Sequence, residues 1–538
     1  MSTKTSQPGR RSKLWAVGVS GALALGALAS WPAGAAVLGG HTAPGGHAKA
    51  RVSVQPDWAS AGQNNHNTRY AATEHTINSA NVGKLKPKWT FTAAGNISAT
   101  ATVVKGVAYV PDWGGKLWAI NTTTGKAIWS RDISSYNGIP GDVSRTSPAY
   151  SNGELVIGTG AQGVSAMKSA YIVGIDARTG KMRWRTKVDK DPATIITSSP
   201  TVDNGVVYFG TSSKGETLSG PQTFRGSIIA ASATTGKILW KTYTIPKGYT
   251  GGAMWGSQPV VDHKTGNLFV ATGNNYTTPD GVCTDPGQAD CIPPVAENHI
   301  DSILALNLKS GKIKWARPTL SADTWTVPVQ NGAPDYDFGS APNLYTTTVN
   351  GKRTDLLGIG QKSGIYWALN PATGKVVWKT EAGPGGSLGG IEWGSATDGK
   401  RIYAAIANAS HKTYTVTSYD GKKTTTTGGL WAALDAATGK IVWQTADPQG
   451  GYVDDAFVSA ANGVVYAGSG APTGNNMYAL DAETGQIKWA FPSGGSVWAG
   501  ASVVDGNVYW GSGYRTAGLG LGYKGDNDKL YAFSLNGK

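Results

Sequence analysis

The sequence predicts an all-β fold: an eight-bladed β-propeller with tryptophan-docking motifs, its ring closed by N- and C-terminal strands in one blade. Three observations predict it: a composition suited to short strands, a tryptophan motif repeated eight times, and a hairpin pattern with the same count. The 538 residues include 75 Gly, 20 Trp and 22 Tyr but only 8 Phe. Charged residues make up 15%, against about 25% in typical soluble domains. Abundant Trp, Tyr and β-branched residues supply apolar surface to bury, which excludes a disordered chain. Gly has no period of three, which excludes collagen. High Gly with Val, Ile, Thr, Tyr and Trp points to many short strands joined by tight turns.

The first repeat reads Asn121-Thr-Thr-Thr-Gly125-Lys-Ala-Ile-Trp129. It returns at Asp176–Trp184, Ser232–Trp240, Asn307–Trp315, Asn370–Trp378, Asp435–Trp443 and Asp481–Trp489, making seven intact copies. The chain ends on the front half of an eighth, Leu530 to Lys538, and its back half is Leu85-Lys-Pro-Lys-Trp89. Self-similarity at this spacing is the mark of a repeat architecture. The second repeat is strand, Gly turn, strand, centred on Gly106, Gly153, Gly205, Gly266, Gly351, Gly399, Gly463 and Gly506. Asn-Gly or Asp-Gly between apolar runs is a hairpin signal. Each unit thus supplies about four strands, and four-stranded blades arranged radially make a propeller. Splitting one blade between the termini hides two sheet edges. The repeated Trp then packs between blades, and the repeated Gly permits the turn.

The N-terminus reads as an export signal. Lys4, Arg10, Arg11 and Lys13 precede an apolar stretch from Leu14 to Trp31, and Ala33-Gly34-Ala35 supplies small residues for cleavage. Residues 1–35 are assigned to the signal, 36–54 to a flexible segment and 55–538 to the propeller. Arg10-Arg11 leaves Sec and twin-arginine export both open. The product is expected to be secreted or periplasmic, without a stable membrane anchor. The formal charge is 48 − 34 = +14, and removing the four leader cations leaves about +10. The cations are spread through the repeats with no dense run, so no nucleic-acid partner is expected.

Cys283 and Cys291 are the two cysteines. In an exported chain they are expected to form a disulfide, worth roughly 2–3 kcal/mol for so short a loop. No Cys-x-x-Cys-His occurs, so no c-type haem is attached. Gly158-Thr-Gly160-Ala-Gln-Gly163 matches a dinucleotide pattern but is flanked by strands where a helix is needed. Gly385-Gly-Ser387-Leu-Gly389 matches a nucleophile elbow, again without a helix. The seven histidines show no metal spacing. NAD, serine-hydrolase and zinc chemistry are therefore rejected.

Eight Thr-Gly-Lys-x-x-Trp blades resemble the quinoprotein alcohol dehydrogenases that bind pyrroloquinoline quinone (PQQ), over roughly residues 55–538. Asp57-Trp58 and Asn64-Asn-His-Asn-Thr68-Arg69-Tyr70, with no haem motif, look most like the polyvinyl-alcohol branch of that class. The resemblance implies a site with PQQ and Ca²⁺. Glu216, in Thr211-Ser-Ser-Lys-Gly-Glu216, and Asn274, in Ala271-Thr-Gly-Asn274, align with calcium ligands; Asn275 is a near alternative. Trp255 aligns with the tryptophan under the quinone. Asp337, in Asp335-Tyr336-Asp337-Phe338-Gly339, aligns with the catalytic base and a metal ligand, with Asp335 as competitor. Lys362 aligns with the cation beside the reacting carbonyl. Arg145 and Thr197 align with donors to PQQ carboxylates, and Trp393, after Gly390-Ile391-Glu392, aligns with the cofactor-binding Trp of the family's Asn-Trp pair.

Two stretches depart from the family. Pro140-Gly-Asp142-Val143-Ser144 lacks the family's adjacent cysteines. Asn96-Ile-Ser98-Ala-Thr100 offers hydroxyls in place of a glutamate. The implied activity is oxidation of alcohols, including secondary and polymeric ones. Hydride passes to PQQ, and electrons then go to a separate acceptor such as a cytochrome c. The rival class is a cofactor-free propeller serving as a protein- or envelope-binding scaffold, which needs no convergence of these residues.

Overall fold

The computed structural model describes residues 57–160, 167–256, 258–330, 332–514 and 525–538. The signal at 1–35, the segment 36–54 and the end of the Gly158–Gly163 motif lie outside the described residues. Among the described residues no helix is long and apolar enough to cross a membrane.

Eight four-stranded antiparallel sheets form the blades. In the first, the innermost strand Thr102–Val104 is followed outward by Val107–Pro111, Lys116–Asn121 and Ala127–Asp132. The last blade has the order Ser502–Val504, Asn507–Gly511, Lys529–Leu535, Leu85–Thr92. Its outermost strand comes from the N-terminal side and pairs antiparallel with the C-terminal strand, Thr90 opposite Tyr531.

The repeat motif has a direct physical cause. Each docking tryptophan donates its indole N–H to a backbone carbonyl of the next blade. The pairs are Trp89 to Thr122, Trp129 to Ala177, Trp184 to Ala233 and Trp240 to Leu308. They continue with Trp315 to Pro371, Trp378 to Ala436, Trp443 to Ala482 and Trp489 to Leu85. The motif glycine of the receiving blade lies flat against that indole. A Cβ on Gly125, Gly180, Gly236, Gly311, Gly374, Gly439 or Gly485 would stand 2.4–2.7 Å from the ring, and each has φ between +67° and +75°. Both the backbone conformation and the contact therefore require glycine. The inner hairpins follow the expected chemistry too. At Asn204-Gly205, φ is +45° and +78°, the signature of a type I′ turn.

The segment from Trp58 to Glu74 runs along the inner strands and touches all eight blades in order. Trp58 pairs with Val103, and Ala59 accepts from Tyr150. The Asn65 side chain donates to Asp203, and its carbonyl accepts from Val261. His66, Thr68 and Arg69 carbonyls accept from Leu344, Thr397 and Ala460. Glu74 Oε2 accepts from Gly506 N. Positive φ at Gln63, Asn67 and Arg69 lets the segment turn as it goes.

In every blade the turn between the first and second strands and the turn between the third and fourth lie at one end of the strands; the first is a two-residue turn with positive φ at both positions in six blades and a longer turn at Gly266 and Gly399. Loops between the second and third strands, and connections from one blade to the next, therefore share the opposite rim. All the family-aligned site residues sit in those loops and connections. Cys283 and Cys291 form a disulfide within one of them, between Asn267–Ala271 and Ser302–Asn307.

Candidate active site on the loop rim

Glu216 lies in the one-turn helix Lys214–Thr217, whose first turn is capped by the Ser213 hydroxyl accepting from Gly215 N. Asn274 follows the strand Asn267–Ala271, and Lys362 follows Lys352–Gly360. Asp335 and Asp337 precede Asn343–Val349. Carboxylate oxygens of Glu216, Asp335 and Asp337 all lie within 4.8 Å of one another. Their loops come from different blades, so the convergence is tertiary.

Asp337 is 1% exposed and holds four of these elements together. Its Oδ2 accepts the Trp255 indole N–H at 2.7 Å and lies 3.3 Å from Lys362 Nζ; its Oδ1 accepts Asn274 N at 2.7 Å. Its backbone carbonyl accepts Lys362 N. Lys362 Nζ is 2.9 Å from Asp335 Oδ2. Burial opposes the charge on Lys362, but Asp335, Asp337, Glu392 and Glu216 outweigh it and hold its pKa well above the ordinary value. Burial, with Asp337 next, pushes Glu216 up to about 7. The Tyr276 hydroxyl donates to Glu216 Oε2 at 3.1 Å.

One ammonium thus faces three close carboxylates, and Asp335 Oδ1 is buried without a donor. That excess of desolvated negative charge, with an amide oxygen beside it, suits a hard cation. The two asparagines separate cleanly. Asn274 Nδ2 donates to the Asn275 and Trp325 carbonyls, which leaves Oδ1 as its ligating end. Both ends of the Asn275 amide are engaged, with Thr250 and Asn298.

The aromatic part lies alongside. Trp393 stands across Trp255 with ring centroids 5.2 Å apart and planes at 84°. The Arg145 guanidinium lies 4.0 Å over Trp393, and Lys362 Nζ lies 5.3 Å over Trp255. The Thr197 hydroxyl donates to the Trp255 carbonyl at 2.7 Å. Arg145, Thr197, Trp393 and Ser98 line one cavity. Trp393 and Asp335 have φ of +57° and +55°. Such backbone costs about 1–3 kcal/mol per residue and concentrates at functional sites. All the aligned residues therefore gather on one rim.

Sequence reasoning missed the supports. Asp323 accepts Asp335 N and Tyr336 N and so shapes the acidic loop; burial pushes it up to about 7. Asp455 accepts the Trp393 indole N–H at 3.1 Å and contacts the Glu392 carboxyl. Burial raises both acids of that pair. Neither Asp323 nor Asp455 belongs to a motif. Their signal was an acid in an otherwise apolar or turn-rich stretch, which is too common to be diagnostic.

Comparison with known proteins agrees with this arrangement. The family described as the glucose/ethanol/alcohol dehydrogenase β-propeller domain, PQQ type, matches residues 58–397. That of the outer membrane protein assembly factor BamB matches residues 361–514. A polyvinylalcohol dehydrogenase of Sphingopyxis sp. strain 113P3 is 30% identical, over 85% of this chain and 73% of its own. One from Pseudomonas sp. is 28% identical, over 90% and 78%. Among solved structures, quinohemoprotein alcohol dehydrogenase ADHIIG from Pseudomonas putida HK5 superposes with a TM-score of 0.69 at 20% identity, over 90% of this chain and 81% of that one. A europium-containing methanol dehydrogenase gives 0.67 at 19% identity, over 89% and 98%. The fold, the gathered rim residues and these matches together establish that the chain belongs to the PQQ-dependent alcohol dehydrogenase family.

Proposed function

We propose that the protein is an exported, PQQ- and Ca²⁺-dependent dehydrogenase that oxidises secondary and polymeric alcohols of the polyvinyl-alcohol type. The observation that carries the reading is Asp337, a buried carboxylate held by Trp255, Asn274 and Lys362 inside a cluster with excess negative charge. The residues fit both groups. Glu216, Asn274 Oδ1 and Asp337 would hold the cation; the Trp255 face, Arg145 and Thr197 would hold the flat tricarboxylate. When bound, the quinone supplies the hydride acceptor and the cation supplies Lewis acidity at its carbonyl.

The chain's own work is binding, orientation and one proton transfer. Asp337 takes the proton of the substrate hydroxyl as the carbinol hydride leaves. General-base help of this kind is worth roughly 10²–10⁴ in rate. Three N–H donors, from Trp255, Asn274 and Lys362, aim the carboxylate. Lys362, charged at working pH, offsets negative charge that develops beside it. Trp255 and Trp393 exclude water and set the plane. Both cysteines of the sequence are joined to each other, so no thiol tethers a haem. A separate acceptor such as a cytochrome c would take up the electrons.

The polymeric substrate is supported by the names of the relatives in Sphingopyxis and Pseudomonas, and export by the basic and apolar N-terminus. The test is reconstitution of apo-protein with PQQ and Ca²⁺, followed by dye reduction with 2-propanol, a 1,3-diol and polyvinyl alcohol. Alcohol-dependent reduction supports the reading. Absence of quinone binding overturns it and leaves a scaffold propeller.

A further inference from the structure

Arg69 belongs to the segment that runs along the inner strands, and its side chain is 1% exposed. Its Nε donates to the Val458 carbonyl at 2.7 Å, Nη1 to the Ala61 carbonyl at 2.5 Å and Nη2 to the Thr100 hydroxyl at 3.1 Å. The guanidinium carbon lies 4.6 Å from the centre of the Phe457 ring. A guanidinium has five N–H donors, so these bonds do not exhaust it, and every partner is neutral. Among the described residues no carboxylate pairs with Arg69. Burial lowers its pKa to about 9, which still leaves it charged at neutral pH. A buried cation without a counter-ion is costly.

The cavity it lines explains the cost. Arg69 and Arg145 both face that cavity, together with Ser98, Thr197, Ser199 and Gln258. Its lining contains two arginines and no carboxylate. The acids of the site lie in the neighbouring cluster. A space with two cations, several hydroxyls and aromatic walls selects a flat polyanion.

The geometry points to Arg69 as a second cationic anchor of the cofactor, deeper than Arg145, whose counter-ion is a carboxylate of the bound quinone. This rests on the quinone reading above. The inner segment would then do more than fill the axis of the ring, because it would carry a binding residue into the site.

The test is a titration of Ca²⁺-loaded apo-protein, followed by quenching of tryptophan fluorescence. The ligands are PQQ and its neutral trimethyl ester. The proteins are wild type, Arg69→Gln and Arg69→Lys. Loss of the charge in Arg69→Gln is expected to weaken PQQ about 10–100-fold while the ester changes less than about twofold. Arg69→Lys should recover part of the discrimination. Equal loss for both ligands means that Arg69 only holds the segment in place, and it overturns the inference. Unchanged PQQ affinity in Arg69→Gln overturns it as well. If Arg69→Gln does not fold, Arg69→Lys against wild type decides: loss confined to PQQ supports the anchor, and equal loss removes it. Failure of the wild type to bind PQQ strikes the quinone reading itself.

Discussion

The indole N–H of Trp255 donates to Asp337 Oδ2 across 2.7 Å. The aromatic platform and the carboxylate assigned the proton transfer are therefore one mechanical unit. Asp337 reports to the platform through this bond and to the loop that follows Asn267–Ala271 through Asn274 N. Displacing either ring or loop would misaim the base.

Asp337→Asn preserves size and keeps an oxygen for Trp255 or Asn274, but it cannot take a proton. Turnover is expected to fall at least about 10²-fold with PQQ affinity within a few-fold of wild type. Steady-state dye reduction alongside fluorescence titration checks this. Substantial activity in Asp337→Asn, with loss in Asp335→Asn, would move the base to Asp335.

Lys362→Met removes the ammonium that, among the described residues, pairs with Asp335 and Asp337, which are 0% and 1% exposed. Breaking a buried pair by deleting one partner costs about 3–5 kcal/mol. Urea denaturation of the apo-protein should show that loss. A variant as stable as wild type would mean that water or rearrangement already screens the pair.

Asp454 is fully buried, and its carboxyl contacts that of Asp447, whose Oδ2 accepts the Ser469 hydroxyl. Burial first, and Asp447 second, hold Asp454 well above the ordinary carboxylate range. The folded state thus keeps a proton that the unfolded chain releases above about pH 4. Stability from this group is full below that pH and declines as pH rises. Asp454→Asn should therefore be more stable than wild type at pH 8, by about 1–3 kcal/mol, with the gap closing towards pH 4. A variant weaker than wild type at every pH contradicts the assignment.

Gly236 has φ +70°, and an added Cβ would sit 2.4 Å from the Trp184 ring. Gly236→Ala should destabilise by about 1–3 kcal/mol from the backbone alone, and by more from the clash. Trp184→Phe loses one hydrogen bond to Ala233, about 1 kcal/mol. Thermal melts that rank the two the other way would show that the indole bond, not the close glycine contact, governs the blade junction.

Much of this molecule is legible in the sequence, because a propeller converts sequence order into angular order. The motif from Asn121 to Trp129 had to recur, since each indole needs a glycine and a carbonyl on the next blade. Glu216, Asn274, Asp337 and Lys362 could be aligned because each follows or precedes a recognisable strand. The hidden parts have no periodic mark. Asp455 reaches Trp393 from the connection of another blade, and Asp323 folds back on Asp335 and Tyr336 within its own connection. Arg69 was visible only as part of a family-like stretch, because a charged side chain beside Asn67 and Thr68 gives no sign that it will be fully buried. The hairpin Tyr414–Thr417 with Lys423–Thr426 is an addition to one blade that the repeat count cannot foresee.

The stretch from Trp58 to Glu74 leaves the ribosome early, yet its partners extend to Gly506. Its last native bonds must wait until residues as late as Gly506 have been synthesised, across sequence separations that slow folding. No half of the molecule is then a finished product, and a nascent chain stalled at the seventh blade would carry an unanchored leading end. A chaperone that shields the early segment would be acting on the element that finishes last.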